Sequence, residues 1–316
     1  MSTPTSQSFI LRPLHDDDRV AYGEMVHDAF NTWYWQHGWG RDYFQCSPAD
    51  AAVFYDIYND LTPGCSVAAF SQNSGQLLGA CFYHPRERHV SLGIMSVHTA
   101  HRGQGIGRAL VNEIVRFTEE GGYPALRLVS SAMNMDSFSL YNRAGLIPRQ
   151  KYHDMVIAVP ATGDVGRQPL RERVRPATID DVAAMAALEE EISGIRRELD
   201  YRYAIANPGG WLHAQVIESE AGGIEGWLVC VRHPALNMIG PGIARTEEGA
   251  AALILSALER FRGQKVLLVI PMDKRLLVET LYGWGARNVE IHLFQVRGEF
   301  QPFAGVSLPS FLPETG

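Results

Sequence analysis

Hydrophobic and polar positions in residues 9–159 alternate between short extended runs and stretches with the three-to-four-residue period of an amphipathic helix. Apolar runs bounded by Gly, Pro, Asn and Ser predict strands, and Ser47-Pro48-Ala49-Asp50 predicts a helix start. Together they predict the order β-α-α-β-β-β-α-β-α-β, an α/β fold in which helices flank a mixed central sheet. The predicted strands are residues 9–14, 66–71, 76–84, 89–97, 125–130 and 152–159, and the predicted helices are residues 20–30, 48–59, 105–120 and 135–143.

The same pattern starts again after a polar segment with Gly and Pro at residues 160–168. Val174-Arg175-Pro176-Ala177 resembles Leu11-Arg12-Pro13-Leu14, and an acidic cluster follows each of them at a predicted helix start. We therefore expect a degenerate duplication with a period of about 160 residues. The predicted units are a first domain at residues 1–160, a linker at 161–170 and a second domain at 171–316. In the second half, strands are predicted at residues 211–218, 224–232, 266–270 and 290–297, and helices at 246–260 and 274–284.

Composition narrows the class of protein. The chain has 316 residues, 46% of them hydrophobic, which is enough for two cores. A net charge of −7 argues against binding to nucleic acid or to an anionic membrane surface, and no apolar run has the length of a membrane helix. The four cysteines lack metal-ligand spacing and the first residues lack a secretion signal, so we expect reduced thiols, a cytoplasmic location and no metal site. A monomer or homodimer is expected, and the sorting-type pentapeptide at 312–316 is interpreted as a plain tail.

A glycine-rich turn with the sequence RGQGIG lies at residues 102–107, between a predicted strand and a predicted helix. Such a turn exposes backbone N–H groups at a helix N-terminus, which bind phosphate together with the helix dipole. Arg102 adds a cation. The pattern Arg-x-x-Gly-x-Gly is neither a P-loop nor G-x-G-x-x-G. The turn alone indicates a phosphate or pyrophosphate site, with an ordinary helix start as the alternative.

A second group of residues follows this turn with a matching spacing: Asn134, Ser137, Tyr141, Gly145 and Leu146. With the turn, they resemble the Q/R-x-x-G-x-G/A and N-x-x-A-x-x-x-Y-x-x-x-G-F motifs of GNAT-superfamily N-acetyltransferases. Ser137 replaces the usual Ala and Leu146 the usual Phe. The first half is identified as GNAT-like, and the whole chain resembles tandem GNAT proteins whose C-terminal domain is degenerate.

The resemblance implies acetyl-CoA as donor and a primary amine of a small molecule or peptide as acceptor, with direct attack in a ternary complex. It implies that Tyr141 is the general acid, because a phenol of pKa ~10 can protonate a leaving thiolate of pKa ~8.5. The strand before the turn would pair with the pantetheine arm. The predicted CoA-binding residues are Met95, Ser96, Val97, Arg102, Gly103, Gln104, Gly105, Ile106, Gly107, Arg108, Asn134, Ser137 and Tyr141.

The general base is less well defined. Many GNAT relatives place a Glu on the strand before the turn, but residues 89–97 contain no carboxylate. His84 and His89 are predicted as the base because imidazole titrates near neutral pH. Other candidates near the same strand or on the last strand remain open: Glu87, His98 and His153.

Trp33, Tyr34, Trp35 and Trp39 form an aromatic cluster at the end of the first predicted helix. In GNAT proteins the acceptor pocket lies near the first helices, so the resemblance implies that these four residues bind the acceptor amine through aromatic and cation–π contacts. Packing of a helix corner or of the interdomain contact is the equally open alternative.

The second half lacks these signals. Glu247 and Glu248 stand where glycines would meet a pyrophosphate, and Leu281 stands in the position of Tyr141. We expect this half to have lost CoA binding. The predicted function is acetyl-CoA-dependent N-acetyl transfer by the first half, and the alternative is a non-catalytic regulatory protein that binds acyl-CoA or another ligand.

Overall fold

The computed structural model describes residues 8–312, which form one 13-stranded mixed sheet with helices packed against it. The predicted α/β class is therefore confirmed. The strands are β1 (Phe9–Arg12), β2 (Ser66–Ser71), β3 (Leu77–Pro85), β4 (Val90–Val97), β5 (Ala125–Ser131), β6 (Ile147–Ala158), β7 (Val174–Pro176), β8 (Leu212–Glu218), β9 (Ile224–His233), β10 (Leu236–Ala244), β11 (Lys265–Pro271), β12 (Arg287–Gly298) and β13 (Val306–Leu308). The helices are α1 (Arg19–Gln36), α2 (Pro48–Ala51), α3 (Val53–Leu61), α4 (Ile106–Glu120), α5 (Met135–Arg143), α6 (Val182–Ser193), α7 (Glu198–Ala206), α8 (Glu247–Leu258) and α9 (Arg275–Gly283).

The first half contains a wedge between β4 and β5. These two strands are parallel and pair only at Val90–Leu126 and Ser91–Arg127, so they separate toward their carboxyl ends. A bulge in β4 puts Gly93 and Ile94 opposite Phe82 of β3. Bulges bend a strand and redirect its backbone groups, and this one faces the wedge. The wedge is the opening in which a ligand can reach the backbone of β4.

The two halves exchange their last strands. Between β5 and β11 the sheet order is β5-β12-β6-β11, so β12 of the second half pairs with β5, and β6 of the first half pairs with β11. The exchanged strands also pair with each other. The domain boundary expected near residue 160 therefore falls in a loop that follows an exchanged strand. Residues from both halves meet at the carboxyl end of β5.

The second half repeats the first with three elements that the sequence pattern did not predict: α7, β10 and β13. Gly240, Pro241 and Gly242 lie inside β10, and these residue types are rare in strand interiors. The structure accommodates them at a register shift between Ile239 and Gly242. The predicted strand 152–159 is β6, which begins earlier, at Ile147.

The corresponding wedge of the second half is closed by the chain itself. β10 and β11 are parallel and pair only at Met238–Leu267 and Ile239–Leu268. Beyond that point β13 pairs antiparallel with Gly242–Ala244 of β10. This part of β10 matches the part of β4 that stays open in the first half. The described chain thus has one open wedge and one filled wedge.

Two ion pairs also join the halves in the loop after β3. Arg86 Nε lies 2.5 Å from Asp200 Oδ2, with side-chain exposures of 4% and 8%. Arg88 Nη1 lies 2.9 Å from Glu190 Oε1, with exposures of 48% and 38%. One bridge is buried and the other faces solvent.

In the part of the chain described here, no helix combines the length and the apolar character that crossing a bilayer requires.

Candidate active site

The open wedge holds a cavity of about 960 Å³. It extends from the N-terminus of α4, along β4 and α5, to α1 and the last residues of the described chain. It therefore joins the predicted cofactor site to the predicted acceptor site. Its wall includes Phe30, Trp33, Tyr34, Tyr43, Met95, Ser96, Val97, Arg102, Gly103, Gln104, Gly105, Ile106, Gly107, Arg108, Ser131, Asn134, Ser137, Tyr141, Leu236, His292 and Phe311.

The glycine turn shapes one end of the cavity. Gly103 and Gly105 have φ values of +77° and +83°, which favour glycine. Gly105 is the N-cap of α4, so the first N–H groups of this helix have no partner inside the helix. A Cβ at Gly107 would lie 3.4 Å from Leu140 Cδ2, an ordinary contact distance, so α4 lies against α5 at this position. The turn thus presents backbone donors at the positive end of a helix dipole.

Arg102 ties this turn to α1. Its Nη2 donates to the carbonyl oxygen of Ala29 at 3.0 Å, and its Nη1 donates to Gln36 Oε1 at 3.4 Å. Arg102 also belongs to the cavity wall. Arg102 therefore fixes the turn against α1 and keeps a positive charge beside the backbone donors.

Asn134 lies at the N-cap of α5, and Tyr141 lies within this helix. Asn134 Oδ1 accepts a hydrogen bond from Ser137 N at 3.0 Å and caps the helix. Capping through the oxygen orients the amide NH₂ group, which can donate elsewhere. Tyr141 lies two helical turns further along, is 6% exposed, and lines the cavity. Both predicted residues are thus placed in one cavity with the glycine turn.

The aromatic cluster of α1 divides into two parts. Trp33 and Tyr34 line the cavity, and Tyr34 stacks on Tyr43 with ring centroids 4.5 Å apart. Trp35 is 53% exposed and donates from its indole Nε1 to Asp42 at 2.6 Å. Trp39 packs on Tyr34 at 4.4 Å and is outside the cavity wall. Two of the four residues predicted to bind the acceptor therefore line the cavity.

His84 and His89 lie outside the cavity wall, and both are fully buried. The hydroxyl of Thr62 lies 2.8 Å from His84 Nδ1, and Tyr58 packs on this imidazole. Burial is the main cause that lowers the pKa of both rings, and the nearby Arg86 guanidinium lowers it further. Their predicted role as base has no support from these positions.

Sequence reasoning missed a group of polar residues that the exchanged strands bring together, Asp154, Glu290 and His292, of which His292 lines the cavity. Tyr34 donates its hydroxyl to Glu290 Oε2 at 2.8 Å, and Ser131 donates its hydroxyl to the other oxygen. Burial raises the pKa of Tyr34 well above its usual value. No local pattern marks these residues, because β6 and β12 join β5 only in the folded protein.

The stability of the protein should report the burial of Glu290. Burial is the main cause that raises the pKa of this carboxyl above its usual value. A raised folded-state pKa contributes stability that is present below the unfolded pKa of about 4.3 and is lost as pH rises through the folded pKa. We expect Glu290→Gln to remove this loss. Urea unfolding from about pH 4 to about pH 8 should show the variant gaining on the unaltered protein as pH rises. Parallel stability curves would contradict the placement of an ionising Glu290.

In the second half, residues of the corresponding turn form hydrogen bonds with other residues of the same half. Glu247 Oε2 accepts from Leu277 N at 2.8 Å, and Thr246 Oγ1 accepts from Gly249 N at 3.0 Å. Leu281 has the same place in α9 as Tyr141 in α5 and is fully buried, whereas Tyr282 is 45% exposed. Two carboxylates and a filled wedge thus replace the glycine turn and the opening of the first half.

Comparisons with known proteins give the same relationship for both halves. Residues 24–146 match the Acetyltransferase (GNAT) family, and residues 185–299 match an Acetyltransferase (GNAT) domain, so the two matches together span more than half of the chain. The mycothiol acetyltransferase of Jonesia denitrificans is 32% identical over 85 residues, which are 27% of this chain and 26% of that protein. The matched region therefore spans about a quarter of the length of this curated relative.

Solved structures share the fold over nearly the whole chain. A Pyrococcus horikoshii structure assigned to the acetyltransferases has a TM-score of 0.73 at 15% identity and covers 97% of each chain. A tandem GNAT protein from the clavulanic acid biosynthesis pathway has a TM-score of 0.61 at 14% identity and covers 92% of this chain and 98% of its own. The two family matches and the shared two-part fold lead to one conclusion: the chain belongs to the GNAT acetyltransferases and is a tandem GNAT protein.

Proposed function

We propose that the protein transfers an acetyl group from acetyl-CoA to a primary amine by direct attack in the open wedge. The observation that carries this proposal is the single cavity that joins the N-terminus of α4, Tyr141 and the aromatic wall of α1. A donor bound at the turn and an acceptor bound beside α1 would meet next to Tyr141. The filled wedge of the second half supports one reaction centre per chain.

The residues of the wedge fit a CoA donor. The N–H groups of the first turn of α4 suit a pyrophosphate, with Gly103 and Gly105 allowing close approach. The edge of β4 at Met95–Val97 is suited to strand-like pairing with an amide-containing arm, as β13 pairs with β10 in the second half. Asn134 can donate its NH₂ group to the same arm. These residues would hold the donor, whose thioester supplies the acetyl group.

Tyr141 is proposed as the general acid. The amine nitrogen forms a bond to the acetyl carbonyl carbon while the carbon–sulfur bond breaks, so the departing thiolate needs a proton. A phenol hydroxyl of pKa ~10 can donate that proton to a thiolate of pKa ~8.5 when the two are positioned together. Backbone N–H groups near the β4 bulge would stabilise the carbonyl oxygen as it becomes negative.

Release of free thiol in the presence of acetyl-CoA and an amine tests the proposal. We expect Tyr141→Phe to lower kcat by about 10²-fold or more, with the affinity for CoA kept, because general acid catalysis typically contributes 10²–10⁴-fold. The four free cysteines require a baseline without amine. CoA affinity is measured in parallel by titration calorimetry.

Tyr282→Phe is the matched control. Tyr282 lies on α9, is exposed, and its hydroxyl accepts a hydrogen bond from Asn288 Nδ2 at 2.8 Å. This variant should keep both kcat and CoA affinity. If CoA binds but no amine in a broad panel releases thiol, and Tyr141→Phe changes nothing, the ligand-binding regulatory function replaces the catalytic one. If CoA does not bind, the proposed use of the wedge is wrong.

A further inference from the structure

Residues of both exchanged strands meet beside the acceptor end of the cavity. Glu290 of β12 is directly opposite Asp154 of β6, and His292 lies two residues further along β12 on the same face of the sheet. The three side chains are only 6%, 3% and 7% exposed, respectively. His292 lines the cavity. Strand exchange is thus what places an imidazole at the acceptor end.

Asp154 orients this imidazole. His292 Nδ1 lies 2.9 Å from Asp154 Oδ1, at an angle outside hydrogen-bond geometry, and the charge of this nearby carboxylate favours a proton on Nδ1 and a proton-accepting Nε2. The same geometry stabilises the imidazolium that forms when Nε2 takes a proton. Phe311 packs on the ring with centroids 5.0 Å apart and holds its plane. The arrangement is that of a histidine base with a positioning carboxylate.

The side chains around Asp154 and His292 add negative charge and no paired cation in the described residues. Tyr34 from α1 and Ser131 from β5 both donate to Glu290. Within residues 8–312, no lysine or arginine forms an ion pair with Asp154 or Glu290. Two buried carboxylates facing one imidazole attract a cation, and the neighbouring aromatic rings stabilise one through their faces.

We infer that His292, positioned by Asp154, is the base that deprotonates the acceptor, and that the acceptor is a primary ammonium on a flat or apolar body without a neighbouring carboxylate. An acid group beside the amine would be repelled by Asp154 and Glu290. The aromatic wall contributed by Phe30, Trp33 and Tyr43 suits a flat or apolar body. This inference rests on the proposed function.

The protons balance in this scheme. Of the three ammonium protons, the first passes to His292 Nε2 and leaves to solvent after the reaction. The neutral nitrogen then forms the new nitrogen–carbon bond as the carbon–sulfur bond breaks. The second proton passes from nitrogen to Tyr141 and replaces the proton that Tyr141 gives to sulfur. The third proton remains on the amide.

The test compares the pH dependence of kcat/KM for the unaltered protein and for His292→Asn, with 2-phenylethylamine as acceptor. The unaltered protein should reach a plateau once the imidazole has lost its proton. The variant depends on free amine, so its kcat/KM should keep rising about tenfold per pH unit toward an amine pKa of ~10. Near neutral pH we expect the variant to be lower by about 10²–10⁴-fold, with CoA affinity unchanged.

Two further variants separate a base from a structural residue. Asp154→Asn should lower kcat/KM roughly tenfold or more. It should also shift the pH at which the plateau begins, since it removes the carboxylate that stabilises the imidazolium. His213→Asn, at a half-buried histidine of β8 away from the cavity, should leave the profile unchanged. If His292→Asn does not fold, retained CoA binding by His292→Gln identifies a folded variant for the same profile.

Each other outcome contradicts a stated part of the inference. A profile of His292→Asn that keeps the plateau and the rate shows that the base lies elsewhere. Activity lost on EDTA treatment assigns Asp154, Glu290 and His292, whose ligand atoms all lie within 4.8 Å of one another, to a metal ion instead. Equal kcat/KM for phenylalanine and 2-phenylethylamine overturns the acceptor class. If the unaltered protein releases no thiol with any amine, the proposed function itself fails.

Discussion

Replacing Gly105 by glutamate is expected to lower the affinity for CoA by about 100-fold or more. Gly105 has a φ of +83°, and a side chain in this left-handed region costs roughly 1–2 kcal/mol. The new carboxylate would also lie beside the pyrophosphate site, where repulsion between like charges at about 4 Å costs roughly 1–4 kcal/mol. A 100-fold loss corresponds to about 2.7 kcal/mol, which lies within the range of this repulsion, whereas the backbone strain lowers the stability of the fold. Titration calorimetry with CoA measures the loss.

Gly122→Glu is the control for backbone strain. Gly122 follows the C-terminal end of α4 and has a φ of +70°, and a Cβ atom added there would meet no heavy atom within 4 Å beyond its chain neighbours. It therefore carries a comparable backbone penalty at a distance from the turn. This variant should lose stability and keep its affinity for CoA. Equal losses of affinity in both variants would show that the effect of Gly105→Glu comes from unfolding.

Replacing Arg86 by methionine is expected to lower the free energy of unfolding by about 3–5 kcal/mol. The substitution leaves the carboxylate of Asp200 buried without its guanidinium, and it removes the hydrogen bond from Arg86 Nη1 to the carbonyl oxygen of His84. An uncompensated buried charge is strongly destabilising, whereas the aliphatic stem of the side chain is retained. Because the pair joins the two halves, urea unfolding should also become less cooperative.

Arg88→Met tests the same loop without burial. Arg88 also pairs across the halves, with Glu190, but both side chains are more than one-third exposed. Exposed pairs contribute about 0–1 kcal/mol, so this variant should unfold within about 1 kcal/mol of the unaltered protein. Similar losses for both variants would mean that burial of the Arg86–Asp200 pair is not what joins the halves.

Local signals predicted the donor end of the site well. Helix 135–143 was predicted with the bounds that α5 has in the structure, where Asn134 caps its start and Gly145 follows its end. The glycine turn lies at the N-terminus of α4, as its composition indicated. These features depend on residues within one or two helical turns of each other, so local sequence patterns are enough to predict them.

The acceptor end could not be predicted in the same way. Asp154 and Glu290 are far apart in sequence and meet only because β6 and β12 exchange places. His84 and His89 were chosen because they are close in sequence to β4, but the structure buries them outside the cavity wall. β10 was missed because Gly240, Pro241 and Gly242 are poor strand residues. The residues at the acceptor end therefore depend on the long-range order of the strands, which local sequence patterns do not indicate.

The filling of the second wedge is another long-range feature. Glu247 and Glu248 in the sequence predicted that the second half had lost CoA binding. The structure adds a separate reason, since β13 occupies the edge of β10 that matches the open edge of β4. A segment near the end of the described chain thus reaches back into the sheet, and no local pattern in β13 indicated this.

Counting the CoA molecules bound per chain is the most direct test of the central claim, that one open wedge in the first half is the acetyl-donor site. Titration calorimetry of the unaltered protein should give a stoichiometry of about one, and Gly105→Glu should remove that binding. Binding of two molecules would contradict the closed wedge of the second half. Absence of binding, or binding that Gly105→Glu leaves intact, would contradict the assignment of the wedge.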